Sequence, residues 1–526
     1  MRVKFTLLNI LSGVGNQLII TVLSFISRTI FINSLGIEYL GINALFTSIL
    51  AMLSLAEAGI GSSIIYNLYK PVADNDRTKI LVLMQLYKKA YLIIAGVVMF
   101  LGLGLMPFLD LFIKDTSIDN LTFIYFLFLM NTAAPYLFVY KHSFLNVNQK
   151  NYIVTLVFSV SAIISTCMKI AILYYTENYI FYLIVESAIT ITTSIILAYI
   201  VDRLYPFLKE KTKRKLDPET KANFIKNMKA IILQNVGNYF IFGVDSILIS
   251  SFVSIAAVGL YSNYKMLIDI CRTFLNQVFA NMYHSLGNLV ARESAEAIYR
   301  IYRVTFLLNF WLYSLLSIVL YLLVEPLIVV WIGAEFKMTH VVLLVLIIAF
   351  FERGMRNSLS AVKTTAGIFH EDRYAPLFQA VVNLGLSLVL VQYWGITGIF
   401  AGSVVSAILV PFWYTPKLVY HKVFHQPVSR YFTRYLYYTI IGSITCLLAG
   451  FTLQFIPSSS ILWIIVQGIS IFLIVNLVYT MIFYRTEEFK YLLGIARTLI
   501  IKIPRLGVIY QKTVKRGRPL DVGGNK

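Results

Sequence analysis

Long apolar runs separated by short polar or basic segments set the pattern of this chain. Most runs reach about 20 residues, the length a helix needs to cross the roughly 30 Å hydrocarbon core of a bilayer. Fourteen such helices are predicted, over 9–32, 41–66, 88–109, 120–141, 152–175, 180–201, 224–250, 255–284, 301–324, 339–361, 374–393, 395–416, 433–456 and 460–483. The first run carries no cleavage-site pattern and reads as a retained span. A basic tail runs from Arg485 to Lys526, with a surface helix near its start. The fold class is an all-α integral membrane protein, because a helix satisfies its own backbone in lipid.

Polar residues inside these runs fall on helical faces. In the stretch from Ser262 to Tyr283, Lys265, Asp269 and Arg272 stand at i, i+4 and i+7, and Ser262, Asn276 and Tyr283 continue that face. Each charge at the centre of a span costs roughly 2.5–3.5 kcal/mol. Two readings follow. The three groups form a self-neutralising ladder that holds helices together, or they form a polar wall on a water-filled cavity. One positive charge survives after Asp269 is counted, which in the second reading points to an anionic cargo.

Other helices repeat the pattern: Gln17, Thr21, Ser24 and Arg28 in the first, then Asn43, Thr47, Ser54 and Glu57 in the second. Thr155, Ser159, Thr166 and Lys169 mark the fifth, and Gln234, Asn238 and Asp245 the seventh. Hydroxyls and amides alone serve interhelical hydrogen bonds worth about 0.6 kcal/mol each. Joined to a charge, such a stripe lines a cavity. The candidate cavity cations are therefore Arg28, Lys169, Lys265 and Arg272. Glu57, Asp245 and Asp269 are candidate ion-coupling groups or charge partners, and Gln17, Ser24, Asn43, Gln234, Asn238 and Asn276 candidate polar lining.

Composition agrees: 58% of the 526 residues are hydrophobic and 13% charged, with a mean hydropathy of +0.76, so lipid is the solvent for most of the chain. The net charge of +20 suggests nucleic acid only until its distribution is read. With the N-terminus inside, cytoplasmic loops and ends collect 39 of the 45 Lys and Arg, and only Lys114 and Lys337 fall outside. That asymmetry is the positive-inside rule. Cys167, Cys271 and Cys446 sit in apolar runs and form no disulfide or metal pattern. No phosphate-binding loop or zinc-type histidine pair is present, so no cofactor is expected. Short outside loops leave little room for a catalytic surface, which argues against an enzyme.

The chain also repeats. Val14-Gly15-Asn16 recurs as Val236-Gly237-Asn238 and Tyr152 as Tyr374, both 222 residues on, while Pro107 and Pro326 are 219 apart. Two parallel six-helix halves follow, with substrate expected at their interface. The domains are an N-terminal lobe (1–201), a basic cytoplasmic linker (202–222), a C-terminal lobe (223–416), two additional helices (417–483) and a basic tail (484–526).

The segments Leu35-Gly36-Ile37-Glu38-Tyr39-Leu40-Gly41-Ile42, Ser54-Leu55-Ala56-Glu57-Ala58-Gly59-Ile60-Gly61 and Tyr69-Lys70-Pro71 resemble polysaccharide flippases. The match is to Wzx-type repeat-unit transporters of capsule and exopolysaccharide systems, in the multidrug/oligosaccharidyl-lipid/polysaccharide exporter superfamily. The resemblance implies V-shaped lobes around a central cavity in the bacterial cytoplasmic membrane, with both termini cytoplasmic. It implies a cargo of undecaprenyl-pyrophosphate-linked oligosaccharide and membrane lipids as surroundings, with a polysaccharide polymerase and assembly proteins as partners. Lumenal cations are typical of the family, and Arg28, Lys169, Lys265 and Arg272 are the positions that supply them here. A cation-coupled multidrug or small-molecule antiporter of the same fold is the alternative, and Glu57, Asp245 and Asp269 would serve its coupling. A membrane sugar polymerase and a non-transporting scaffold are further readings.

The charge asymmetry predicts that reporters active only in the cytoplasm, fused after residues 215 and 485, both give signal. Silence at either site refutes the fourteen-helix topology.

Overall fold

The computed structural model describes residues 2–57, 60–114, 116–210, 212, 232, 235–241, 243–290, 293–368 and 371–502. Every regular element among them is helical. The chain packs into two compact units, the first formed by Met1–Ile270, Ile328–Ala349 and His370–Pro411, the second by Cys271–Leu327, Phe350–Phe369 and Phe412–Lys526. Eight described helices are long and apolar enough to cross a membrane, or nine if one bent pair counts as a span. Their outer faces are apolar: Phe100 and Leu447 are about three-quarters exposed, as lipid-facing residues are. Of the predicted seventh span, 224–250, the opening residues 224–231 and positions 233, 234 and 242 lie outside the described residues.

The first unit begins with α1 (Arg2–Leu35), α2 (Ile37–Leu53), α3 (Ile60–Ala73) and α4 (Arg77–Leu105). It continues with α5 (Leu121–Ala133), α6 (Val139–Val147), α7 (Asn151–Thr176), α8 (Tyr179–Leu204) and α9 (Asp245–Phe252). Gly36 reverses the chain between α1 and α2 at φ +86°, a conformation that favours glycine. Asp76 caps α4 by accepting from the Lys79 N–H at 3.0 Å, and Asn178 caps α8 through Ile180 and Phe181. α7 and α8 match the predicted fifth and sixth spans to within three residues.

The predicted spans 41–66 and 120–141 are broken instead of continuous. The span 41–66 divides into α2, a 3₁₀ turn over Ser54–Ala56, and α3. There the Ser54 hydroxyl bonds back to the Leu50 carbonyl at 2.8 Å, and the Glu57 and Ile60 N–H groups reach back only three residues. The span 120–141 bends by 50° between Leu121–Leu137 and Val139–Val147. Pro135, which cannot donate its backbone nitrogen, sits in the 3₁₀ turn at the bend.

The first part of α10 (Ile255–Val290) crosses α2 through two glycines. A Cβ on Gly41 would fall 2.1 Å from the Ile255 carbonyl oxygen, and one on Gly259 would fall 2.3 Å from that of Ile37. Only hydrogen fits on either side of this contact. The hairpin of α14 (Ala375–Trp394) and α15 (Ile396–Leu409) uses the same device, since Gly402 faces Ser387 and Gly398 faces the Leu390 carbonyl. Asn383 satisfies the Phe240 and Ile241 carbonyls from within that hairpin.

The second unit contains most of α11 (Ala295–Trp331), the end of α12 (His340–Met355) and α13 (Asn357–Thr365). Most of α16 (Pro411–Val419), α17 (Ser429–Leu453), α18 (Ile461–Phe483) and α19 (Glu487–Lys502) complete it. A helix, α19, stands near the start of the tail. Aromatic rings fill the core: Phe310 stacks on Tyr438 at 4.6 Å and Phe306 on Tyr431 at 5.6 Å. Glu352 and Arg356 form a buried two-bond ion pair at 2.5 and 2.9 Å.

The glycine crossing yields a stability prediction. Gly41→Ala and Gly259→Ala each cost about 1–3 kcal/mol by overpacking. Gly15→Ala, with open space around its site, serves as the control. Thermal melting of the purified protein in detergent checks the difference.

Candidate functional site

A cavity of about 500 Å³ lies within the first unit among α1, α7 and α8. Three of its wall residues are ionisable cations or anions: Arg28 on α1, Lys169 on α7 and Glu186 on α8. Ser24, Asn43 and Tyr182 line it as well. The polar stripe of α1 faces that of α7 because neither face can be left in lipid.

Arg28 is held by neutral groups. Its Nη1 donates to Ser262 Oγ at 3.0 Å and to Asn263 Oδ1 at 2.9 Å, both on α10. Ser262 and Asn263 are buried, and the Asn263 Nδ2 has no partner among the described residues. Arg28 has no carboxylate partner among the described residues, so its guanidinium is oriented without being neutralised. Lys169 differs. Its Nζ lies 3.3 Å from Glu186 Oε1 and 4.7 Å above the Tyr182 ring. The ionised groups on the wall therefore leave one net positive charge, contributed by Arg28.

The remaining candidates fall elsewhere. Lys265 and Asp269 pair at 2.7 Å, which is the self-neutralising rung, and neither lines this cavity. Arg272 belongs to the second unit. Glu57 accepts from Tyr91 Oη at 2.6 Å on the wall of another cavity of about 620 Å³, which Tyr87 and Ser143 also line. Asp245 opens α9 and accepts from Tyr261 Oη at 3.3 Å. Asn238 and Asn276 are exposed, and the side chains of Gln17 and Gln234 lie outside the described residues. Among the described residues no cluster of His, Cys, Asp and Glu could hold a metal ion.

Sequence reasoning missed Glu186, Tyr182 and Asn263. Glu186 carried the signal that found the cations, an ionisable residue inside an apolar run. Asn263 had no such signal, because one amide beside a charged stripe is indistinguishable from a structural one.

The family model described as "Polysaccharide biosynthesis protein" matches residues 7–283, just over half of the chain. No curated relative matches the sequence. Among solved structures, the lipid II flippase MurJ in an inward closed conformation is similar at 14% identity and a TM-score of 0.65, over 92% of this chain and 99% of that one. The Vibrio cholerae MATE transporter VcmN gives 14% identity and a TM-score of 0.55, over 80% and 98%. The MATE multidrug transporter DinF-BH gives 18% and 0.53, over 80% and 97%. The fold is thus the multi-helix fold of these membrane proteins, and the chain is a multi-pass membrane protein of that architecture.

The Lys169–Glu186 pair makes its own prediction. Lys169→Ala leaves a carboxylate uncompensated, so it destabilises the wild type more than it destabilises a Glu186→Ala background. A double-mutant cycle read by thermal melting gives a coupling of about 0.5–3 kcal/mol.

Proposed function

Because the chain belongs to the polysaccharide biosynthesis protein family, we propose that it is a flippase for oligosaccharide repeat units carried on undecaprenyl pyrophosphate. It moves them from the inner to the outer leaflet of the bacterial cytoplasmic membrane, for capsule or exopolysaccharide assembly. The observation that carries this reading is Arg28, held in a polar cavity by two neutral acceptors and free of any carboxylate among the described residues. A carboxylate at that position would fill the site, whereas amide and hydroxyl partners leave the charge for an incoming anion. Phosphate oxygens suit the arginine fork, and Lys169 on the facing helix, shared with Glu186, is the weaker second cation. Opposite unit charges about 4 Å apart attract by roughly 4 kcal/mol at an effective dielectric near 20, enough to select a pyrophosphate and little enough to release it.

In this reading lobes 1–201 and 223–416, joined through the cytoplasmic linker 202–222, alternate access to the cargo. Lys265 and Arg272 remain the second-half cations, and Asp269 limits the field of Lys265. The antiporter alternative shares the fold, and one observation speaks for ion coupling within either reading. Glu57 is bonded to a tyrosine hydroxyl and has no cation partner among the described residues. Asp245, likewise bonded by a tyrosine, is the second coupling candidate.

Arg28→Ala is expected to cut surface polysaccharide about ten- to a hundredfold, the equivalent of charge-assisted bonds worth about 1.5–3 kcal/mol. Protein reaches the membrane at normal level, and lipid-linked repeat units accumulate on the inner leaflet. Arg28→Lys keeps partial export, since charge survives and fork geometry does not. Full export by a variant with Arg28, Lys169, Lys265 and Arg272 all changed to Ala refutes the reading. Export unchanged in its ion dependence by Glu57→Gln and Asp245→Asn removes the coupling role alone.

A further inference from the structure

The second unit holds a cleft of about 650 Å³. Arg303 of α11, Arg430 and Arg434 of α17 and Glu488 of α19 line it. Both Arg303 and Arg434 reach a single carboxylate oxygen. Glu488 Oε1 receives Arg303 Nε at 2.7 Å, Arg303 Nη2 at 2.5 Å and Arg434 Nη1 at 3.3 Å. Arg430 donates to a neutral group, Gln426 Oε1, at 2.6 Å. Burial opposes the charge of Glu488, yet its own backbone N–H and the two guanidiniums hold its carboxyl below the usual range, so it stays ionised. The cleft therefore holds three guanidiniums and one carboxylate, which two of them share, and two positive charges in it lack an anion among the described residues.

The surroundings say which anion fits. Thr433 and Tyr437, one turn apart, lie on the cleft wall and on the exposed side of α17. From them an apolar stripe runs along that helix through Ile440, Ile444, Leu447 and Phe451, at spacings of three and four residues. These four side chains are 49–75% exposed. A basic, tyrosine-walled cleft at the head of a lipid-facing track is the arrangement of a membrane interface.

We propose that this cleft binds the phosphate of an anionic phospholipid, with Arg430 and Arg434 on the phosphate and the acyl chains along the stripe of α17. Arg434 is the better placed of the two inner arginines, since its 3.3 Å bond to Glu488 is the longest of the three and its remaining donors are not committed to the carboxylate. Arg430, at the exposed rim, meets the headgroup first. The site is independent of the flippase reading, because it needs a bilayer and no cargo.

The test uses the full chain, delipidated in detergent, with native mass spectrometry and thermal melting as readouts. Phosphatidylglycerol is added to one sample, phosphatidylcholine to a second and inorganic phosphate to a third. Retention and stabilisation by phosphatidylglycerol, and not by the other two, are expected. Arg430→Ala should lower retention about tenfold, and Arg430→Ala with Arg434→Ala should abolish the difference between the two lipids. Arg430→Lys, which keeps a charge, recovers part of it. Melting without lipid is compared first, and Arg430→Ala, at the exposed rim, leaves it unchanged. Equal retention of both lipids by the wild type overturns the site, as does equal phosphatidylglycerol retention by the double variant. Stabilisation by inorganic phosphate alone overturns it too, by showing a free-anion site.

Discussion

The interior of a bilayer offers no hydrogen-bond partner, so every polar group that enters it must find one on the protein. The backbone does so by being helical. Hydroxyls on the spans turn back on their own helix: Thr29 bonds the Phe25 carbonyl at 2.8 Å, Ser159 that of Thr155 at 2.8 Å and Thr445 that of Ile441 at 2.8 Å. Charges cannot be absorbed that way and are paired instead, as Lys169 with Glu186, Lys265 with Asp269 and Arg356 with Glu352. Against that background Arg28 stands out. It has the orientation of a paired group and the charge of an unpaired one, because its acceptors are a hydroxyl and an amide.

Much of this was legible in the sequence, and the boundary of legibility has physical causes. Span ends follow from apolar length, which is why α7 and α8 agree with the runs 152–175 and 180–201. The breaks at Ser54 and Pro135 depend on whether a local bond or a missing donor outcompetes the helix, and packing around each site decides that. Stripes told which residues leave lipid and said nothing of which stripes meet. Arg28 and its acceptors are 234 and 235 positions apart, and no local pattern joins them. The i, i+4 spacing of Lys265 and Asp269 left a ladder and a cavity wall both open, and the two side chains pair at 2.7 Å. Glu186 was readable by the rule that found Lys169, since both are ionisable residues in apolar runs.

Two kinds of cohesion are at work. In the first, small residues let backbones approach, as in the α14–α15 hairpin and at the contact between α2 and α10. In the second, aromatic rings and paired arginines fill the space among α11, α17 and α18. Stacked rings interlock and hold one arrangement, because moving them requires side chains to change rotamer together. Main chain against main chain presents a smooth surface.

That smoothness has a consequence at Gly41 and Gly259. When helices meet through glycine, forming the contact freezes no side chain of the glycines themselves, whereas a long side chain immobilised in a contact surrenders up to about 2 kcal/mol of rotamer entropy. Attraction there comes from short-range dispersion and from contacts of Cα hydrogens with carbonyl oxygens, and a gap of about 0.5–1 Å already forfeits roughly a quarter to a half of the dispersion. Such a crossing behaves like a magnetic latch: firm when shut, nearly frictionless once parted, and ready to close again without rearrangement. If the chain opens and reseals a passage as the proposed flippase would, a hydrogen-only surface is where repeated closure costs least.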